Sequence, residues 1–554
     1  MKIRRFFIAI CATIQLFAAD VPLGHWVYDV LERFEAKGHI TGFLSGAKPY
    51  SRQDLYHTVK QLSTTFEQNP QRFSALDEEW LKEMQREFLD WGDKSYRDDN
   101  NRIAGLKQSI IFAPWLPEMV YENNRNLLRY QFQSFEIFVD PILRFISYEP
   151  LLRGEQRKLL HMSNGFYAYG RMGSGFAFHF DLTDNTIWGE QGLLPGETWI
   201  KNSGWPWVNT NNEEKLMYDE NVFGVSYQND WLSLSVGRQY SQWGYGKAGQ
   251  LSVSSHSPAM DMVRWSLDFG RFKYTGLTGF LIDVDASQSV IRLSDKRNKF
   301  LAGSRIEFNA GFGLQLGLNQ FAIYGDRDLE LGYHVPFAFL KSGEHYYGDR
   351  DNGAISLDFE WSGYLDTRLY GELFFDDISI GKFGSGFYGN KFAYTIGAEH
   401  FGANLLDGLE GTAEYTHIEP YVYTHKVSVN VYKHYDSNLG HWLYPNSDLQ
   451  YYQLRYWLNR RFLLQATYRF IRHGRNPADR NVGGDIDVPF STGDNETVEF
   501  LDGDLEKRQM YKFELYYEVL RRTRIFVGYA QEKYDPGDSF NSIELGFEIN
   551  YGQK

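Results

Sequence analysis

An alternation of apolar and polar residues begins near residue 106 and continues to the C-terminus. It limits what this chain can fold into more than any other feature. The pattern is clearest in the last segment, where Ile543, Leu545, Phe547, Ile549 and Tyr551 alternate with Glu544, Gly546, Glu548 and Asn550. Successive side chains of a β-strand point to opposite faces, so this segment has one apolar face and one face carrying charge. A strand between lipid and a wet lumen needs that division, whereas the core of a soluble sandwich would not accept the carboxylates. The same pattern recurs at Phe176, Phe178, Phe180 and Leu182; at Leu232, Leu234 and Val236; at Phe312, Leu314, Leu316 and Leu318; and at Tyr511, Phe513, Leu515 and Tyr517. No stretch beyond the N-terminus approaches the ~18 apolar residues of a spanning helix, so strands must do any crossing.

Turn signals fall between pairs of these segments, at Asp140-Pro141, 172–174, Asn229-Asp230, 269–271, 309–311, Ser362-Gly363, Asp407-Gly408, 459–461 and 521–523. Joining two strands at each implies roughly 18 to 20 strands. The fold expected is an all-β transmembrane antiparallel β-barrel of about 18 strands over residues 106–551. Longer connections near 183–221, 239–260, 324–351, 417–448 and 472–508 then face the cell exterior or fold into the lumen. The 17% aromatic content, with 38 Tyr, 42 Phe and 14 Trp, suits the aromatic girdles of such a barrel.

The first residues read differently. Lys2, Arg4 and Arg5 precede an apolar run from Phe6 to Ile14 and the small pair Ala18-Ala19, the pattern of a secretory signal peptide over residues 1–19. Cleavage there removes Cys11, the only cysteine, and with it any disulfide or thiolate chemistry. It also removes three positive charges and takes the formal charge from −14 to −17, which disfavours nucleic acid as a partner. Residues 20–100 form a small α-helical module. Trp26, Val27, Val30, Leu31 and Phe34 recur at helical spacing up to Gly38; Ser51 caps a second helix carrying Leu55, Val59 and Leu62; and a third, capped near Ser74 or Asp77, carries Trp80, Leu81, Met84 and Phe88. An even-stranded barrel leaves both chain ends, and this module, in the periplasm of a Gram-negative-type bacterium.

Two stretches carry a resemblance. Gly237-Arg238-Gln239-Tyr240-Ser241-Gln242-Trp243-Gly244-Tyr245-Gly246, followed by Leu251-Ser252-Val253-Ser254, resembles the capsule assembly Wzi family of outer-membrane proteins. So does Glu414-Tyr415-Thr416-His417-Ile418-Glu419-Pro420-Tyr421, continuing through Tyr423-Thr424-His425, His434-Tyr435, Leu439-Gly440-His441 and Pro445-Asn446-Ser447-Asp448. The resemblance implies an 18-stranded barrel covered by helices on its periplasmic side, and a role in attaching capsular or related polysaccharide to the cell surface. The acidic connection at 472–508 and the tail Gly552-Gln553-Lys554 depart from the family's usual form. A weaker likeness, to S-layer homology modules, lies in Gly24-His25-Trp26-Val27-Tyr28, Gly38-His39-Ile40 and Pro49-Tyr50-Ser51-Arg52. It implies cell-wall polymer as a further partner; a helical plug supporting the barrel is the alternative.

Sugar recognition uses flat aromatic faces for pyranose rings and planar polar groups for hydroxyls and carboxylates. Arg238, Gln239, Tyr240, Trp243 and Tyr245 combine the two in the first motif, and His417, Tyr421, Tyr423, His425, His434, Tyr435, His441, Trp442 and Tyr444 in the second. Surface polysaccharide and outer-membrane lipid are therefore the expected partners. Catalytic and metal readings have less behind them. His256-Ser257 lacks a nucleophile elbow, the histidines between 417 and 441 lack short ligand spacing, and Asp485, Asp487, Asp494, Asp502 and Asp504 lack the calcium-loop pattern. No cofactor and no enzymatic activity are expected. A general porin or solute channel shares the barrel and is the alternative function.

Overall fold

The computed structural model describes residues 19–92, 126–150, 159–173, 175–189, 208–212, 215–283, 297–403, 406–537 and 539–550. The expected signal segment up to residue 18, the passage from module to barrel at 93–125, and Tyr551 lie outside the described residues.

Three helices precede the barrel: α1 (Val27–Ala36), α2 (Arg52–Gln68) and α3 (Ala75–Gly92). Helix α1 ends where Gly38 takes the left-handed conformation, and the backbone N–H of His39 closes back on Phe34. Ser51 caps α2 by accepting from the Asp54 N–H, and Ser74 caps α3 by accepting from Asp77, whose carboxylate returns the bond. Val27, Val30, Leu31, Phe34, Leu55, Val59, Leu62, Trp80, Leu81, Met84 and Phe88 form one buried cluster between them, as their spacing requires.

Eighteen staves follow: β1 (Phe135–Pro150), β2 (Leu159–Met172), β3 (Phe176–Trp188), β4 (Lys215–Gln228), β5 (Leu232–Gln239), β6 (Met260–Asp268), β7 (Phe272–Ile282), β8 (Asn298–Gly311), β9 (Leu314–Gly325), β10 (Asn352–Tyr364), β11 (Thr367–Asp377), β12 (Lys391–Ala403), β13 (Leu406–Ile418), β14 (Ser447–Asn459), β15 (Phe462–Arg475), β16 (Asp504–Leu520), β17 (Thr523–Asp535) and β18 (Ser539–Ile549). Each pairs antiparallel with its neighbours, and β18 closes the barrel against β1 with Leu545 opposite Ser147. Outward positions such as Phe145, Phe166, Val225, Leu316, Leu454, Phe513 and Leu545 are exposed and apolar, the lipid face. Among the described residues no helix is long and apolar enough to cross a membrane.

Eight short connections between staves lie at one end of the barrel, where the helices also sit, and the longer connections lie at the other. Three expected turns are corrected. Asp140-Pro141 lies within β1, at the gap between its pairing with β18, which ends at Leu143, and its pairing with the short strand Leu128–Phe132, which begins at Val139. No ladder hydrogen bond is required of Pro141 there, so proline is tolerated inside the stave. Ser362-Gly363 lies in the end of β10, ahead of the turn at 365–366, and Asp407-Gly408 lies in the first residues of β13. Gly363 has positive φ at a register shift between Trp361 and Tyr364, so glycine there marks a bulge and not the turn itself.

Candidate functional site

The two motif loops fold into the lumen and meet. In the connection 240–259, Gln242-Trp243 pairs antiparallel with Ala47-Lys48, a segment that enters from the helical end. The Gly244 N–H reaches the Gly46 carbonyl at 2.8 Å, and a Cβ on Gly46 would lie 1.9 Å from Arg305 Nη2, so a larger residue would have to displace the buried Arg305 guanidinium. Trp243 is fully buried with its ring 5.3 Å from Phe321, beside Leu251 and Val253. Inward carboxylates of the staves hold the loop backbone: Glu414 accepts from the N–H groups of Lys247 (2.7 Å) and Ala248 (3.1 Å), and Glu372 accepts from Leu251 (2.9 Å).

The connection 419–446 packs onto this loop. Tyr423 donates its hydroxyl to the Leu251 carbonyl (2.7 Å), Tyr432 to that of Ser252 (2.8 Å), and the Trp442 indole N–H to that of Ala248 (2.6 Å). The Ser254 N–H donates to Leu439. With Leu251, Val253, Phe321, Phe374, Leu439 and Leu443 these rings form an apolar core inside the barrel.

At the other end, charge holds the helices to the wall. Arg33 pairs with Asp77 (2.7 Å), Asp407 (2.9 Å) and Glu410 (3.1 Å), while Arg521 and Arg522 hold Glu83 and Glu87. Asp77 is buried, but Arg33 and Lys37 outweigh that burial and hold its carboxyl down at about 2. The two closures meet at Lys247, whose ammonium bonds Asp29 (3.0 Å) and Glu32 (2.6 Å) of α1. Burial opposes its charge, yet Asp29, Glu32 and Glu399 raise its pKa well above the ordinary lysine value.

The expected sugar-binding residues are thus brought together, but few have a free face. Trp243, Tyr245, Tyr421, Tyr423 and His441 are sealed from solvent, as are Gln239, His434 and Tyr435 to within a few per cent. Burial lowers the pKa of His425 to about 4 and of His434 and His441 to about 3, so all three are neutral; each accepts a backbone N–H, from Val427, Ile282 and Leu443 respectively. Tyr240 donates to Glu220 in a cavity of about 830 Å³, its mouth included, along the inner wall of β1–β5. Arg238 points outward, in line with Leu234 and Val236, and pairs with Asp261 at 2.8 Å. His417 also faces outward, stacked on Tyr394 and tilted against Phe500. These placements correct the picture of two open recognition loops: most of the motif residues build the closure of the lumen.

Tyr444 differs from the rest of its loop. It is 46% exposed at the loop end of the barrel and stacks on His473 with centroids 5.6 Å apart. In the same neighbourhood Lys433 binds Asp436 (2.6 Å) and Asp487 (2.7 Å); burial works against its charge, but those two carboxylates raise its pKa. The expected reading passed over Lys433 and His473, which stand beside motif residues without belonging to the pattern. Among the described residues no cluster of three potential metal ligands is found, and the carboxylates of the acidic connection have other partners. Asp487 faces Lys433, Asp502 faces Arg480, and Asp494 accepts from Asn481. Ser257 of the imagined dyad is buried, 2% exposed.

These features define a class, an outer-membrane-type barrel of eighteen staves closed by a helical module at one end and by infolded loops at the other. The sequence profile of the family described as capsule assembly protein Wzi matches residues 225–538, and the chain belongs to that family. Wzi of Escherichia coli, an outer-membrane protein involved in group 1 capsule assembly and a carbohydrate-binding β-barrel, aligns with a TM-score of 0.56 at 13% identity, covering 96% of this chain and 100% of that one. OprD of Pseudomonas aeruginosa aligns with a TM-score of 0.40 at 10% identity over 74% of this chain and 94% of that one. OccAB4 of Acinetobacter baumannii gives 0.41 at 10% identity over 76% and 98%. No protein with a curated description matches at the sequence level.

Proposed function

We propose that this outer-membrane protein binds a capsular or related surface polysaccharide at its outer mouth and helps attach or assemble it at the cell surface. The observation that carries this reading is the filling of the lumen by two infolded loops that together bury Trp243, Tyr423, Tyr432 and Leu439, which favours a glycan-holding surface over a solute path. Family membership supports it, as does the E. coli fold relative, itself a carbohydrate-binding barrel. Tyr444 presents a ring face to a pyranose, with the Lys433, Asp436 and Asp487 groups for hydroxyls or uronate carboxylates. One such contact is weak; a repeating polymer engaging several copies or several subsites gains retention through avidity. The protein acts without catalysis in this reading.

The helical module lies on the periplasmic side and serves as a plug. The residues that resemble an S-layer module turn inward: His25 is buried, and Arg52 stacks at 3.7 Å on the Tyr169 ring and pairs with Glu87. That leaves little of the motif for a cell-wall polymer.

The test is surface polysaccharide in a deletion strain, compared between cells and medium at equal total synthesis. Complementation with the intact gene restores the cell-bound fraction, whereas Tyr444→Ala with Lys433→Ala lowers it while barrel assembly is retained; Arg238→Ala, which touches only the outward pair with Asp261, leaves it unchanged. An unaltered partition in the deletion strain overturns the proposal. Full retention by the well-folded Tyr444/Lys433 double variant overturns the site.

A further inference from the structure

The connection 326–351 touches the infolded loops near its end, where the Arg350 carbonyl accepts from Asn430. It leaves β9, lies against the outside of the barrel over β7, β8 and β9, and returns into β10. The parity of those staves settles which wall it covers. Leu277, Leu301, Phe321 and Ile323 belong to the core inside the barrel, so Thr278, Ala302, Ala322 and Tyr324 face outward. Phe300, Ala302, Ala322 and Tyr324 are nonetheless buried, together with Tyr333 and Leu340 of the connection.

The wall beneath is built for this cover. Two cross-strand rows, Gly276–Ser304–Gln320 and Thr278–Ala302–Ala322, are small or polar where other outward positions of the same staves are Phe280, Phe308, Leu316 and Leu318. Their polar atoms satisfy the connection. Gln320 accepts the Leu340 N–H (2.9 Å) and donates to the Ala338 carbonyl (2.7 Å); the Tyr274 hydroxyl accepts the Phe337 N–H (2.9 Å); and His334 bonds Thr278 (2.7 Å) and Tyr324 (2.9 Å). Non-helical backbone can lie at a lipid boundary only when its polar groups are answered in this way. The opposite face of the connection exposes Leu331 (73%), Val335 (55%), Phe337 (60%) and Phe339 (59%). Charge collects at the neck, where Arg327 and Tyr333 both bind Asp351.

We propose that residues 331–339 are embedded in the bilayer beside the barrel, with Leu331, Val335, Phe337 and Phe339 in contact with acyl chains and Glu330 held at the neck by Arg327. The occupant is lipid because this face continues the established lipid face of the same staves without a break. The segment is a side-mounted hydrophobic brace at the loop end of the barrel. It adds lipid contact on the flank of β7–β9 and so biases how the mouth is tilted and presented.

The experiment uses the full chain with Cys11→Ser and single cysteines at Leu331 or Phe339 carrying bimane. References are Leu316, on the lipid face, and Ser491, on an exposed loop. In vesicles of brominated phosphatidylcholine, fluorescence is lost at Leu331 and Phe339 as fully as at Leu316, and aqueous iodide quenches only Ser491. Iodide quenching at both test positions overturns the proposal. Shielding from both quenchers, accompanied by self-association in native mass spectrometry, also overturns it by assigning the face to a second copy. In Gln320→Leu, where the seat is broken, iodide gains access to Phe339 while the folded gel mobility of the barrel is kept.

Discussion

The two ends of the lumen are closed by different physics. At the turn end, Arg33, Arg521 and Arg522 bind helix and wall carboxylates, so the module is seated by charge on a wall whose inward positions are charged. At the loop end, the infolded connections bury Trp243, Tyr423, Tyr432 and Leu439 in an apolar core. The difference follows from where each closure comes from. A separate module must match a polar barrel interior already present, whereas the loops bring apolar residues enough to make an interior of their own. Buried ion pairs fix geometry more than they add net stability, while apolar burial supplies the driving force.

The comparison can be broken at its apolar side first. Trp243→Ala removes a fully buried ring and costs about 3–5 kcal/mol, the range for large aromatic truncations. The expected result is a lowered denaturation midpoint together with single-channel conductance in planar bilayers; a silent, equally stable variant would mean that the helices alone close the lumen. On the charged side, Arg33→Ala takes one of two cationic partners from each buried carboxylate, leaving Glu410 with Arg455 and Asp77 with Lys37. The cost is about 2 kcal/mol, below the range for an uncompensated buried charge because both carboxylates keep a cation. Helices α1–α3 become sensitive to protease while the loop closure stays intact, and equal loosening of both ends would refute the division.

Acid acts on both closures through histidine. His434 and His441 at the loop end are depressed to about 3, and His425 there and His39 in the module to about 4, in each case chiefly by burial. For His441, the charges of His256 and Arg469 add to that effect. Between the ordinary value of 6.5 and these lowered values the unfolded chain binds protons that the folded chain excludes. Stability is therefore intact above 6.5 and falls as the pH drops toward 4, which thermal melts across that window will show. Asp77, held at about 2, gives up its contribution only at still lower pH. The smallest effect concerns Glu35, whose buried carboxyl is pushed well above the usual range by burial and then by Glu360. Such a group penalises the fold increasingly as pH rises. Glu35→Gln should raise stability by about 1 kcal/mol at pH 8, with the gain shrinking on acidification; an unchanged melt at pH 8 would show that Arg368 already neutralises it.

Parts of the site were legible residue by residue. The outward placement of Arg238 follows from its parity with Leu234 and Val236, so the alternation itself argued against a lumen role. The capping boxes at Ser51 and Ser74 and the stop at Gly38 could be read because they depend on residues within one helical turn. The burial of Tyr423 and Trp442 could not, because their partners are the carbonyls of Leu251 and Ala248, about 170 to 190 residues away. Nor could the seat on Gln320, since a glutamine in a lipid-facing row looks like an error until Leu340 is laid against it.

By itself the sequence determined a barrel: period-two alternation with charge on one face has few solutions in a chain without a spanning helix, and turn spacing brackets the strand number at roughly 18 to 20. It also determined the family, through two motifs. Only the tertiary structure decided what those motifs do, because whether an aromatic loop opens to solvent or folds into the lumen depends on which inward carboxylates and carbonyls stand ready to accept its N–H and O–H groups. In this protein Glu372 and Glu414 hold the loop backbone, and the rings that looked like a sugar platform close the barrel instead.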